Sequence, residues 1–338
     1  MIYIINIILI LIFMYFILSK YICENFNKKN LKLSKKKNLK LSKKKKIIYP
    51  PFKIDLLYTW AGENQDIYNI RLANNNELKY SIRSVMLNMP WINKIFILMN
   101  PPKKKPSWFN NKYKKKIILI DQSETFPINS DLPNKNSNAI ETTIHNIPEL
   151  SEHFIYMNDD FFIGKPVKYT DFFTSDGTAI SYLKNIDYSS MLKDKHKNIL
   201  KIKYPPPSGC YYHIPSSYLK SYLQKYVDEY SDYIKWIQTY KVRVSNNAPC
   251  IKYNLKYFCH QQHISYMKFL YKKNMSIIKF IPKKERIYIY SKTIDRLHNV
   301  VKNPPKFFCI NCGTIHIKKR INIFFKKMYP KKLYFEKN

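Results

Sequence analysis

Two adjacent carboxylates, Asp159 and Asp160, have the clearest capacity for chemistry in this 338-residue sequence. They follow an apolar run at residues 154–157, whose aromatic and β-branched side chains predict a buried strand. Paired carboxylates at a strand end are costly unless a positive charge lies against them. Because ligands of open α/β sheets bind at the carboxyl ends of strands, we expect a divalent metal that carries phosphate; a solvated Asp-Asp turn is the alternative.

A polar cluster precedes this strand. Asn136, Ser137 and Asn138 offer hydrogen-bond donors near a predicted helix start, which is a common position for binding anions. Glu141 and His145 are four residues apart, so a continuous helix would place them on one face. We expect this pair to orient substrate or to shuttle protons, since histidine titrates near neutral pH.

Strands and helices alternate through the first half of the chain. The predicted strands span residues 54–60, 95–99, 117–121 and 154–157, and the predicted helices span residues 77–87 and 138–146. This order predicts an α/β fold that is Rossmann-like, with a mainly parallel sheet flanked by helices. Beyond residue 171 the pattern weakens, although residues 216–236 read as mostly helical. We therefore expect a helical and irregular C-terminal half that completes the site.

The chain is strongly basic, with a formal net charge of +36. Residues 20–46 contribute 12 lysines and one glutamate, so the rest of the chain still carries a net +25. An aromatic content of 16% excludes a disordered chain. The charge suits anionic partners such as nucleotides, phosphorylated sugars or acidic membrane. Lysine far outnumbers arginine, so no specific nucleic acid is expected as a partner.

The N-terminal region predicts attachment to a membrane. Residues 2–18 carry no charge and, with their neighbours, approach the ~20 apolar residues that span a bilayer. A cleaved signal peptide is the competing interpretation, but a basic start and a small-residue cleavage site are missing. We expect a membrane anchor at residues 1–22, with its orientation left open. Residues 23–46 form a lysine-rich linker in which the octapeptide at 30–37 is repeated at 38–45.

Six cysteines leave three possibilities open. Cys309 and Cys312 form a CxxC motif, and Cys259, His260 and His263 could complete a zinc site. A second CxxC is missing, so scattered core thiols or a disulfide are favoured over structural zinc.

Several blocks of the sequence resemble the Stealth family. Its first two blocks are similar to residues 55–60, 76–84, 90–92, 106–108, 132–141, 145–154 and 158–160, about a third of the chain in one order. Two later blocks are looser. His213-Ile-Pro215 and Arg243 resemble the third, and residues 308–311 resemble the fourth, in which Cys312 stands where an acidic residue is usual.

The resemblance implies an activity. Stealth proteins transfer sugar-1-phosphate from a UDP-sugar to a hydroxyl of another sugar and release UMP. For this chain it implies an N-acetylhexosamine-1-phosphate donor, a glycan acceptor and Mg²⁺ or Mn²⁺. Residues 47–338 would form a single catalytic domain, with a nucleotide-sugar and metal half at 47–170 and a second half at 171–338.

Site residues are assigned on this basis. Asp159 and Asp160 would hold the metal against the donor diphosphate, or one of them would accept the proton of the acceptor hydroxyl. His213 and Arg243 would complete the phosphate site. The catalytic candidates are Asp159, Asp160, His145, His213 and Arg243.

Substrate-binding candidates surround this core. Asp55, Tyr58 and Trp60 are expected to line a uridine pocket at the first strand end. Arg71 and Arg83 are expected to contact phosphate, although Arg83 could instead form an ion pair with Glu77. The remaining candidates are Asn76, which could also cap the helix it precedes, Glu77, Asn136, Ser137, Asn138, Glu141 and Asn311.

Three alternatives to this function remain at the level of sequence. A conventional glycosyltransferase would use the same carboxylates but release UDP. A non-enzymatic basic protein would bind membrane or nucleic acid through its lysines. An inactive family member would be consistent with Cys312. The sequence does not identify the UDP-sugar, the acceptor or the oligomeric state.

Overall fold

The four apolar runs of the first half form adjacent strands of one sheet. The computed structural model describes residues 47–63, 74–113, 115–183, 192–194, 199–201, 214–241, 262–311 and 315–337. The strands are β1 (Ile54–Trp60), β2 (Ile95–Met99), β3 (Ile117–Asp121), β4 (His153–Asn158), β5 (Phe161–Ile163), β6 (Ala179–Leu183), β7 (Leu192–Asp194), β8 (Ile199–Lys201), β9 (Ser216–Leu219), β10 (Ser276–Phe280), β11 (Arg286–Tyr290) and β12 (Phe307–Asn311). The helices are α1 (Glu77–Asn88), α2 (Ser137–Glu141), α3 (Lys220–Glu229), α4 (Ser231–Gln238), α5 (Gln262–Lys272), α6 (Leu297–Lys302) and α7 (Ile315–Met328).

The central sheet has the order β3-β2-β1-β4-β9. Its first four strands are parallel, and β9 adds an antiparallel edge. Since Thr59 lies opposite Asn158 and Trp60 lies opposite Met99, the carboxyl ends of β1, β2 and β4 share one edge of the sheet. The prediction of an α/β fold with a mainly parallel sheet flanked by helices is confirmed.

Two smaller sheets complete the fold, with the orders β6-β10-β8-β7 and β11-β12-β5. In the second, β12 runs antiparallel to β5, which begins directly after Asp160. The C-terminal half is helical as expected, but it also contributes strands that the sequence pattern did not predict. This pairing of β12 with β5 brings residues near 310 beside the acidic turn.

Helix α1 connects the central sheet to the C-terminal elements. Its Tyr80 ring stacks on Phe325 of α7 at 4.7 Å, and Phe162 of β5 stacks on Phe308 of β12 at 5.0 Å. Both contacts lie in a hydrophobic cluster of buried aromatic and aliphatic side chains. The predicted side-chain cap at Asn76 is wrong, because Asn76 adopts a left-handed conformation with φ of 64° and its side chain makes no capping bond.

The predicted membrane anchor and linker fall at residues 1–46, outside the described residues. Of the helices in the described part of the chain, none has the length and hydropathy required to cross a bilayer.

Candidate active site

Asp159 and Asp160 occupy the tight turn between β4 and β5, at the carboxyl edge of the central sheet. Strand β12 holds this turn from its other side. The backbone N–H of Ile310 donates to the carbonyl of Asp160 at 3.0 Å, and the Cys309 thiol donates to Asp160 Oδ2 at 3.2 Å. The acidic pair is thus fixed between two sheets, at the position expected from the sequence.

Glu77 adds a third carboxylate to this position. It is the first residue of α1 and is buried. The backbone N–H of Asn75 donates to Glu77 Oε2 at 2.5 Å, and Asn75 Nδ2 donates to Oε1 at 2.6 Å. Burial raises the pKa of Glu77 to about 7; the hydrogen bonds from Asn75 oppose this rise, and the charge of Asp160 adds to it. Asn75 therefore sets the orientation of a carboxylate that ionises near neutral pH.

The three carboxylates disfavour one another's ionisation. Burial raises the pKa of Asp159 well above its usual range, and the charges of Asp160 and Glu77 raise it further. Buried like charges that interact in this way are stable together only when a cation or protons neutralise them. A crowded acidic site of this kind suits a positively charged ligand.

The donor set fits a magnesium ion shared with a phosphate ligand. Within the described residues, no three His, Cys, Asp or Glu side chains are arranged to hold an ion by themselves. Mg²⁺ in phosphoryl-transfer sites usually takes only one or two protein carboxylates, with substrate phosphates and water as its other ligands. Asp159 and Asp160 supply that number of oxygen donors in one turn.

Tyr58 and Trp60 lie at the same end of the sheet as the acidic turn. The Tyr58 hydroxyl is 2.7 Å from Ser81 Oγ, and Ser81 in turn donates to the carbonyl of Phe161. These bonds connect β1, α1 and β5 directly behind Asp159 and Asp160. Trp60, the last residue of β1, is buried.

Asp55 is not brought to this edge. It lies near the amino end of β1, where its carboxylate accepts from Asn93 Nδ2 at 2.8 Å and from the backbone N–H groups of Lys94 and Ser151 at 2.9 and 2.8 Å. A strand rises about 3.3 Å per residue, so Asp55 and Trp60 sit at opposite ends of β1. Asp55 instead joins the loops that precede β2 and β4.

The Asn136-Ser137-Asn138 segment connects α2 to the C-terminal helices. Asn136 Oδ1 accepts from the Asn138 backbone N–H at 3.1 Å, and Asn136 Nδ2 donates to the carbonyl of Tyr240 at 3.2 Å. Asn138 Oδ1 accepts from the backbone N–H of Gln262, at the start of α5, at 3.2 Å. The two asparagines thus position α2, whereas Ser137 is partly exposed.

Glu141 begins a buried polar chain that reaches the sheet edge. Tyr156 donates its hydroxyl hydrogen to Glu141 Oε1 at 3.3 Å, and the same hydroxyl is 3.0 Å from Thr59 Oγ1 near the carboxyl end of β1. His263 of α5 places Nδ1 3.9 Å from Glu141 Oε2. The sequence suggested His263 only as a zinc ligand. Its place beside Glu141 depends on α5 packing against α2, for which the local sequence gives no signal.

His145 does not share a helical face with Glu141. Helix α2 ends at Glu141, and a separate 3₁₀ turn, Ile144–Asn146, carries His145. Burial lowers the pKa of His145 to about 4, although the charge of Asp228 opposes this shift. His145 is therefore neutral at pH 7, and the predicted pairing with Glu141 is replaced by the contacts of Glu141 with Tyr156 and His263.

Arg83 has a carboxylate partner, but it is not Glu77. Its Nε and Nη2 donate to the two oxygens of Glu336 at 2.6 and 2.5 Å, and Nη1 donates to the carbonyl of Tyr329 at 2.6 Å. The suggested ion pair with Glu77 is wrong, because the C-terminal segment reaches Arg83 and Asn75 engages Glu77. A phosphate contact by Arg83 remains a prediction.

Two of the remaining candidates, Asn76 and Asn311, lie in the described part of the chain. Asn76 directly precedes Glu77, and its backbone N–H donates to Asn74 Oδ1 at 2.8 Å. Asn311 ends β12, two residues after Cys309, and its side chain is hydrogen-bonded to Tyr288. The remaining candidates lie outside the described residues: Arg71, His213, Arg243 and the variant position Cys312. Cys309, the cysteine within the described residues, is a buried free thiol.

Comparison with known proteins identifies the central block. A family model described as Stealth protein CR2, conserved region 2, matches residues 71–181, which contain Glu77, Glu141 and the acidic pair. A capsular polysaccharide phosphotransferase of Neisseria meningitidis is 36% identical over 161 residues, which cover 42% of this chain and 43% of that protein. An exopolysaccharide phosphotransferase of Streptomyces coelicolor is 35% identical over 148 residues, covering 39% of this chain and 25% of that protein.

These matches cover less than half of each relative's length. A solved structure, the 4-diphosphocytidyl-2C-methyl-D-erythritol synthase from Anaerococcus prevotii, aligns over 68% of this chain and 86% of that chain, with 9% identity and a TM-score of 0.29. A score this low supports no argument about fold or function. What the chain shares with known proteins is therefore the Stealth conserved region 2, over residues 71–181, and its similarity to these phosphotransferases.

Proposed function

We propose that this protein transfers a sugar-1-phosphate, N-acetylhexosamine-1-phosphate, from a UDP-sugar to a hydroxyl of an acceptor glycan and releases UMP. The observation that carries this proposal is the crowding of Glu77, Asp159 and Asp160 at the carboxyl edge of the parallel sheet. All three residues fall within the match to conserved region 2. Relatives of this chain at 35–36% identity are named as capsular and exopolysaccharide phosphotransferases.

The proposed reaction forms one bond to phosphorus and breaks another. The acceptor oxygen bonds to the phosphorus that carries the sugar, and the bond from that phosphorus to the bridging oxygen breaks. UMP leaves with the bridging oxygen, and the proton of the acceptor hydroxyl passes to a carboxylate of the acidic turn. Burial raises the pKa of the Asp159 carboxyl well above its usual range, so its carboxylate would be a stronger base than that of an ordinary aspartate.

Asp159 and Asp160 would also hold Mg²⁺ or Mn²⁺, which neutralises charge on the donor diphosphate when bound. Glu77, fixed by Asn75, would raise the negative potential that attracts the cation. His213 and Arg243 would complete the phosphate site from the C-terminal half, as the family resemblance implies. We further propose that residues 1–22 anchor the enzyme in a membrane, as their uncharged sequence predicts.

The identity of the released nucleotide tests this proposal. Full-length protein would be incubated with UDP-N-acetylglucosamine, Mg²⁺ and a panel of sugar acceptors, and the nucleotide product would be identified by mass spectrometry. We expect UMP. Asp160→Asn should reduce UMP formation by about 10²-fold or more, because it removes a charge from the reacting centre.

Asp131→Asn provides the matched control, since this exposed carboxylate forms only a surface ion pair with Lys241. It should leave UMP formation unchanged. Release of UDP would make the protein a conventional glycosyltransferase and refute the proposed mechanism. Full activity of Asp160→Asn would refute the assignment of the site. Failure of several UDP-sugars to yield any nucleotide would refute the proposed donor class.

A further inference from the structure

The last 23 described residues have a higher density of positive charge than the rest of the folded chain. Residues 315–337 contain eight basic residues and one acidic residue, Glu336. They carry +7 of the net +25 that follows the linker, far more per residue than the remainder, so a general lysine bias does not account for the local excess. Glu336 is buried against Arg83 and does not neutralise the surface.

Helix α7 has a buried apolar side and an exposed basic side. Ile321, Phe324 and Phe325 are buried, and the Phe324 ring contacts Phe308 of β12 at 5.9 Å. The opposite side is open to solvent and carries Ile323, of which 59% is exposed. In a helix, residues three and four positions apart are neighbours, so Ile323 is surrounded by lysines. These neighbours are Lys319, Lys326 and Lys327, all exposed; the fourth, Arg320, forms an ion pair with Asp295.

The segment after α7 carries further exposed basic residues. The backbone N–H of Lys337 donates to the Trp108 carbonyl at 2.8 Å, and the ring of Tyr334 contacts Tyr113 at 4.5 Å. Tyr334 remains 47% exposed beside Lys331 and Lys332, and Lys112 is exposed on the attached loop. We call the set Lys112, Lys319, Ile323, Lys326, Lys327, Lys331, Lys332 and Tyr334 the basic face.

We propose that the basic face rests on an anionic membrane surface, with Ile323 and Tyr334 at the level of the lipid headgroups. Each lysine near an anionic bilayer adds electrostatic attraction to the surface. Helices that lie in the membrane interface combine basic side chains with apolar side chains that enter the headgroup region, and Ile323 would supply such an apolar contact. A soluble polyanion would pair with the lysines but would gain nothing from an exposed isoleucine. This proposal does not depend on the chemistry of the active site.

Lysine footprinting on vesicles tests the proposal. Full-length protein would be reconstituted into phosphatidylcholine vesicles with or without phosphatidylglycerol, treated with a membrane-impermeant lysine-acylating reagent and analysed by mass spectrometry. We expect the reactivity of Lys319, Lys326 and Lys327 to fall about threefold or more on anionic vesicles, since headgroup contact covers their amines. Lys225 is exposed on α3, beside the β9 edge of the central sheet, and should react equally on both.

Two substitutions separate a bilayer from a soluble polyanion. Ile323→Ser should weaken the protection of Lys326 on anionic vesicles, and Lys225→Glu should leave it unchanged. Because Ile323 and Lys225 are exposed, neither variant alters the core. Equal lysine reactivity on neutral and anionic vesicles would overturn the proposal. Protection by dissolved dextran sulfate that matches the vesicles and is insensitive to Ile323→Ser would assign the basic face to a soluble polyanion.

Discussion

Replacing Glu336 with glutamine should destabilise the fold far more than its position two residues from the C-terminus suggests. The Glu336 and Arg83 side chains are only 2% and 8% exposed and form two parallel hydrogen bonds of 2.5–2.6 Å. Glutamine keeps the shape but leaves the guanidinium without its counter-charge. Removing one partner of a buried ion pair typically costs about 3–5 kcal/mol. That amount is a large part of the roughly 5–15 kcal/mol by which domains are stable.

Urea unfolding of the full-length protein, followed by tryptophan fluorescence, would measure this loss. Lys337→Gln is the control, because Lys337 is exposed and its backbone bond to Trp108 is retained; it should change the free energy of unfolding by less than about 0.5 kcal/mol. The double variant Arg83→Met with Glu336→Leu should recover much of the lost stability, since it removes both buried charges. A loss for Glu336→Gln no larger than that for Lys337→Gln would refute the buried pair.

The same double variant separates a structural role of Arg83 from a phosphate contact. If Arg83 only secures the C-terminal segment, the stabilised double variant should retain UMP formation. If Arg83 contacts the donor phosphate, activity should fall even though stability has recovered. The second result would support the sequence-based prediction over the contacts in the structure.

Two other substitutions have defined outcomes. Ser81→Ala should lower the free energy of unfolding, measured with urea, by about 1–3 kcal/mol, because it leaves the Tyr58 hydroxyl and the Phe161 carbonyl without their buried partner. Tyr58→Phe should destabilise the Ser81→Ala variant less than it destabilises the natural protein, since the contact is already lost. Strictly additive losses in the double variant would contradict the contact. His145 has a folded pKa of about 4 against an ordinary 6.5, so between these values the unfolded chain binds the proton that the folded chain excludes. The free energy of unfolding should therefore fall by up to roughly 3 kcal/mol more from pH 7 to pH 4 in the natural protein than in His145→Gln, and equal pH profiles would contradict a buried neutral imidazole.

The sequence alone determined the central sheet and the location of the acidic turn. Strands β1 to β4 are short apolar runs, and the burial of such a run is a local property that needs no knowledge of its partners. Asp159 and Asp160 end the last of these runs, so parallel order places them at the carboxyl edge. The sequence could also have predicted that Asp55 lies far from the acidic turn. Five residues of extended strand separate Asp55 from Trp60, which is a distance of about 17 Å.

Tertiary structure decided which polar groups surround that turn. Cys309 meets Asp160 only because β12 pairs with β5, across 149 positions of sequence. His263 meets Glu141 only because α5 packs on α2, and Glu336 meets Arg83 only because the C-terminal segment returns to α1. Such contacts depend on how whole elements pack, and no local pattern encodes them. The carboxylates were therefore predictable as residues, whereas their partners and their protonation could be read only from the fold.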